Sequence, residues 1–137
     1  MRLLGIDFGF KRIGLAIAET EFGIISARPP LEASGILRKD AEKIAAMAGS
    51  EQVDCVILGL PLLQGEEGKM AKICRRLGDE ISILGYEVGY VDEAMSSVEA
   101  DQVWRGEGMK ASERRKVKDS EAARLILERY IHEQKID

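Results

Sequence analysis

The chain has 137 residues, 45% of them hydrophobic, and a formal net charge of −4. That supports one folded domain spanning 1–137 with its own core and excludes a disordered chain. No apolar run approaches the roughly 18 residues of a membrane helix, and the short apolar start lacks a small-residue cleavage pattern. A cytoplasmic protein with no membrane partner is therefore expected. Cys55 and Cys74 fall in apolar runs and read as buried thiols of a reducing compartment. His132 is the only histidine, so neither a zinc site nor a thiol–imidazole pair is supported.

Arg2 to Asp7 reads as a strand and Ile13 to about Glu19 as a second, joined tightly through Phe8–Arg12. Gly23 to Ala27 is a third, stopped by Arg28-Pro29-Pro30. The period then changes. Leu37, Ala41, Ile44, Ala45 and Ala48 recur at three and four, a helix ending near Gly49. Val53 to Leu58 is a buried strand, closed by Gly59-Leu60-Pro61, and Pro61–Gly68 is a loop. Met70, Ile73, Cys74, Leu77, Ile81 and Leu84 form the stripe of a second helix, terminated by Gly85. Tyr86 to Val91 is the next strand, with Asp92-Glu93 at its end. Ser96-Ser97-Val98-Glu99 has the form of a capping box. Trp104 reads as a core residue of the helix that follows. A basic loop, Arg105 to Lys118, precedes a last helix from about Asp119 to His132. The order predicts an α/β fold with one mixed sheet and helices on both faces.

Ligands in such sheets collect at the carboxyl ends of parallel strands. Asp7 ends the first strand, and a carboxylate there costs several kcal/mol to desolvate unless something compensates it. Asp92 and Glu93 end the last strand. Asp119 precedes Ala122, Ala123 and Ile126 by three, four and seven, so it shares their side of the helix. Three converging carboxylates repel unless a proton or cation intervenes. Mg²⁺ or Mn²⁺ is the natural cation for oxygen ligands, and phosphodiester hydrolysis is the natural chemistry. Each acid also has a plainer role: an Asx turn for Asp7, solvated loop for Asp92 and Glu93, a helix cap for Asp119. The basic loop is either a phosphate contact or a solvated face.

Asp7-Phe8-Gly9-Phe10-Lys11-Arg12-Ile13-Gly14 also resembles the first phosphate loop of the actin, sugar kinase and Hsp70 superfamily. That superfamily needs a second such domain, for which 137 residues leave no room. No GxxxxGK[ST] motif is present, which excludes a P-loop nucleotidase.

Four segments carry a closer resemblance. They are Gly5-Ile6-Asp7-Phe8-Gly9 with Arg12-Ile13-Gly14; Val56-Ile57-Leu58-Gly59-Leu60-Pro61-Leu62; Asp92-Glu93-Ala94-Met95-Ser96-Ser97-Val98-Glu99-Ala100; and Lys118-Asp119-Ser120-Glu121-Ala122-Ala123. In this order and spacing the chain resembles, over nearly its full length, the YqgF or RuvX family of the ribonuclease-H-like superfamily. The resemblance implies a ribonuclease-H-like fold with a mixed five-stranded sheet. It implies a divalent-metal-dependent nuclease whose acids are Asp7, Glu93 and Asp119, which favours Glu93 over Asp92. Lys11, Arg12, Ser96, Arg114, Arg115, Lys116 and Lys118 are then the expected substrate contacts. Trimming of the 5′ end of precursor 16S ribosomal RNA, free or in ribosomal particles, is the first expected activity. Resolution of Holliday junctions in branched DNA is the second, by analogy with RuvC. A ribosome-assembly factor that binds RNA and has lost the chemistry is the third. One departure stands out: Ala94 occupies a position where the family pattern has arginine, which removes one bidentate phosphate anchor. Monomer and homodimer are both compatible with the sequence.

Overall fold

A computed structural model describes residues 1–93 and 111–134, with 111–120 as helix backbone only. Ala94, the Ser96–Glu99 capping box and Trp104 lie outside the described residues.

The chain begins with three antiparallel strands: β1 (Arg2–Phe8), β2 (Arg12–Glu19) and β3 (Ile24–Glu32). Helix α1 (Leu37–Ser50) leads to β4 (Cys55–Leu60). A small hairpin, β5 (Leu62–Leu63) and β6 (Glu66–Glu67), precedes α2 (Lys69–Ile83). Strand β7 (Glu87–Asp92) and helix α3 (Ala111–Gln134) complete the described chain. The main sheet has the order β3-β2-β1-β4-β7, with β4 parallel to both β1 and β7. This is the mixed five-stranded sheet expected from the strand and helix order.

Alternation along β1 sorts its residues between two cores. Leu4, Ile6 and Phe8 join Val56, Leu58, Ala41, Ile44, Cys74, Leu77 and others under α1 and α2. Leu3 joins Ala16, Cys55, Ile57, Val91, Ala123, Ile126 and Leu127 under α3. Central β4 is buried along its whole length, as a strand covered on both faces must be.

Three elements differ from the sequence-based expectation. Strand β3 does not stop at Arg28-Pro29-Pro30 but runs through it. It lies at the sheet edge, and its pairing slips one residue between Ile13↔Leu31 and Leu15↔Arg28, so the prolines fall in a bulge. Within 61–68 a two-residue turn at Gln64 (φ 53°) and Gly65 (φ 81°) makes a hairpin. Positive φ at both centres is the turn whose twist matches paired strands. Arg75 of α2 grips β6 through two bonds of 2.7 Å to Glu67 and stacks 5.0 Å above the Tyr90 ring. Helix α3 begins at Ala111, well before Asp119. Arg114, Arg115, Lys116 and Lys118 therefore belong to the helix, not to a loop, and Asp119 is not a cap.

Both thiols are buried, as expected. Burial, followed by the charges of Glu87 and Asp54, pushes Cys55 up to about 11. Burial, followed by the charges of Glu93 and Asp7, pushes Cys74 up to about 12. A thiol whose folded pKa is raised contributes full stability below its unfolded value near 9. That contribution is lost as pH rises from about 9 through the folded values. Urea midpoints at pH 7, 9 and 10.5 are expected to fall only across the upper interval, and less steeply in Cys74→Ala. Iodoacetamide at neutral pH is expected to leave both thiols unmodified until the protein unfolds.

Among the described residues, no helix is long and apolar enough to cross a membrane.

Candidate active site

The two ends of the sheet are built differently. At the amino ends of β1 and β4, cations and carboxylates are matched. The Arg2 guanidinium bonds Glu19 and also Glu51, whose Oε2 accepts at 2.9 Å. Arg28 Nε reaches Glu51 Oε1 at 3.2 Å. The Arg28 hydrogen bond is the main reason the Glu51 carboxyl lies below its usual range. This cluster ties the end of α1 to three strands.

At the carboxyl ends, acids gather. Asp7 is half-buried near the end of β1 and pairs across β2 with Gly14. It has the same parity as Leu3 and Gly5, so it lies on the α3 face. Glu93 follows β7 directly, and its amide donates to the Leu60 carbonyl at 2.8 Å. That bond holds the chain beside the end of β4. Glu93 is 8% exposed, whereas its neighbour Asp92 faces solvent. Burial thus separates the two acids that the residue pattern left paired.

Gly59 of β4 lies between them. It is one residue beyond the Ile6↔Leu58 pair on the β1 side and opposite Val91 on the β7 side. A Cβ there would stand 2.5 Å from Glu93 Oε2 and 2.7 Å from Ile126 Cδ1. The missing side chain is the space that the Glu93 carboxylate occupies. Burial is the main cause of the raised Cys74 pKa, and the charges of Glu93 and Asp7 add to it.

Helix α3 closes this face of the sheet. It approaches β1 so closely that a Cβ on Gly5 would lie 2.6 Å from Leu127 Cγ and 3.0 Å from the Ala123 carbonyl oxygen. Near its other end Tyr130 rests against Gly89. Arg129 Nη1 donates to the Asp92 carbonyl at 2.5 Å, pinning the helix beside Glu93. The contacts run from Ile126 at Gly59 to Tyr130 at Gly89, toward the amino end of the sheet. Earlier turns of α3 therefore head toward the carboxyl ends, where Asp7 and Glu93 lie.

Of the expected site residues, Asp7 and Glu93 share one sheet face at the carboxyl ends of β1 and β7, on either side of β4. Lys11 is exposed in the turn after β1, and Arg12 opens β2. Asp119, Arg114, Arg115, Lys116 and Lys118 lie in the helix backbone of α3, and their side chains are outside the described residues. So is Ser96. Among the described residues, no group of three or more metal-ligating side chains occurs. Gly59 and Arg129 were missed by sequence reasoning. A glycine interrupting a fully apolar strand was the available signal for the first; nothing in the local pattern marked the second.

Comparison with known proteins places the chain in a family and matches its fold. A relative from Endomicrobium trichonymphae is 40% identical over 134 residues, covering 95% of this chain and 94% of its own. One from Anaeromyxobacter dehalogenans is 36% identical over 136 residues, covering 96% of each. Both carry the name "Putative pre-16S rRNA nuclease". Among solved structures, Thermus thermophilus RuvC in complex with a Holliday junction substrate superposes with a TM-score of 0.57 at 16% identity. That match covers 100% of this chain and 98% of RuvC, a likeness of fold. The model of the RuvX family, described as Holliday junction resolvase, matches residues 1–133, and the chain belongs to that family.

Proposed function

We propose that this protein is a divalent-metal-dependent nuclease that trims the 5′ end of precursor 16S ribosomal RNA in the cytoplasm. Residues 1–137 form its nuclease domain. The observation that carries the reading is the pair of carboxylates, Asp7 and Glu93, flanking Gly59 at the carboxyl ends of β1 and β7. The names of the relatives supply the RNA, and membership of the family supports the nuclease chemistry.

The donor set suits Mg²⁺ or Mn²⁺, because carboxylate oxygens are hard ligands and Glu93 is buried enough for its charge to need compensation. Asp7 and Glu93 would hold the ion. Asp119 is the third ligand in this reading: it precedes Ala123 by one turn of continuous helix, and Ala123 packs on β1 at Gly5. When bound, the ion supplies Lewis-acid charge stabilisation at the scissile phosphate and an acidified water. Ionised, the three acids keep the ion at the strand ends. Lys11 and Arg12, beside Asp7, orient the phosphodiester backbone. Arg114, Arg115, Lys116 and Lys118, now on the helix that carries Asp119, extend that contact, with Ser96 near the phosphate. No histidine base is involved.

The test sets a precursor 16S 5′ fragment against a synthetic four-way DNA junction, each with Mg²⁺, Mn²⁺ or EDTA. RNA cleavage that needs metal is the expected result. Cleavage of the junction alone would replace this reading with the resolvase activity in the family's description. RNA binding with no cleavage of either substrate would replace it with an assembly role, with Ala94 as the visible lesion.

A further inference from the structure

The first half of α2 carries charge that the helix itself disfavours. Lys69 and Lys72 stand in and just after its first turn, and Arg76 follows on the same stripe; all three are exposed. No acidic residue occupies that first turn. Asp79 and Glu80 come only in the second half. A helix N-terminus is positive, so this order of charges works against the macrodipole. Folding alone gives no reason for it, and the protein as a whole is acidic.

Three exposed cations at helical spacing also border an open, largely apolar depression. Lys69, Lys72 and Arg76 line a surface groove of about 340 Å³ with Ile73 as its floor, and no described carboxylate lines it. Glu67, the nearby acid that senses Lys72, is already bonded through both oxygens to Arg75. The groove spans about 10 Å of helix, roughly three nucleotides at 3.4 Å each. Helix α2 follows the hairpin that leaves the carboxyl end of β4. The groove therefore starts at the end of the sheet that holds Asp7 and Glu93, on the face opposite α3.

We infer that Lys69, Lys72 and Arg76 form a track for the phosphodiester backbone of the nucleic-acid substrate. Ile73 supplies an apolar floor for sugar and base edges. The nuclease reading names the ligand; the geometry of the track stands without it. The cations on α2 act on binding and leave the chemistry at the strand ends unchanged.

The experiment measures anisotropy of labelled RNA and of a labelled four-way DNA junction in EDTA across a salt series. It compares wild type with the triple variant Lys69→Gln, Lys72→Gln, Arg76→Gln. Lys72→Gln is also compared with Lys43→Gln, an exposed lysine of α1 that bonds the Glu32 carbonyl. Affinity of the triple variant is expected to drop about tenfold or more, with a salt slope shallower by about two. Its Tm is expected to stay the same or rise, since charges opposed to the helix are removed. An unchanged slope, an equal loss in Lys43→Gln, or a lowered Tm would each overturn the track. The substrate with the larger change identifies its source as RNA or branched DNA. If wild type cleaves neither substrate yet binds through these residues, the nuclease reading fails and the track stands. If wild type cleaves and the slope is unmoved, the reverse holds.

Discussion

Asp7→Asn is expected to lower metal-dependent cleavage at least about a hundredfold without disturbing the fold. Asparagine matches aspartate in size, and the β1–β2 pairing at Asp7↔Gly14 uses backbone groups. What changes is charge. The variant keeps oxygen at the site but removes one of the carboxylates that, in the proposed site, would hold an ion together with Glu93. Stability in EDTA is expected to be unchanged or higher, because like charges no longer converge on one sheet face. A loss of cleavage with a retained or raised Tm is the signature of an acid kept for chemistry. Metal-dependent cleavage that survives in Asp7→Asn would remove Asp7 from the site.

Gly59→Ala is the second large effect, and it reaches the chemistry through packing. Its Cβ would meet the Glu93 carboxylate at 2.5 Å and Ile126 Cδ1 at 2.7 Å. Something must move, and overpacking of this kind costs about 1–3 kcal/mol. In the proposed site, moving Glu93 would misplace a metal ligand, so cleavage is expected to fall about as far as in Glu93→Gln. Ile126→Val separates the two contacts, because it deletes the Cδ1 methyl and leaves Glu93 untouched. Gly59→Ala with Ile126→Val is expected to regain most of the lost urea midpoint but not the lost cleavage. Recovery of both would mean that Gly59 serves the helix contact alone.

Much of the fold was legible in periodicity. The strands β1, β2, β4 and β7 and helices α1 and α2 fall where alternation and three–four spacing put them, because each has a buried face that imprints itself on the residue pattern. The misreadings have local causes. Pro29-Pro30 looks like a strand end because proline cannot serve a central ladder. At an edge with a bulge it can stay, and only the sheet order shows that β3 is an edge. The start of α3 was placed late because Ala111–Lys118 is dense in charge and lacks an apolar stripe.

The sequence by itself placed the candidate acids, Asp7 and the Asp92-Glu93 pair, at strand ends and carried the motifs of the family. A side chain's identity and its distance from a strand end are local properties, so local pattern holds them. Only the tertiary structure decided which acid of Asp92 and Glu93 turns inward, and why Gly59 must be bare. It also showed that α2 presents its cations at the same end of the sheet. Those facts depend on which strand lies beside which, and on how closely a helix approaches them. Register and close approach join residues far apart in the chain, and no window of sequence contains both partners.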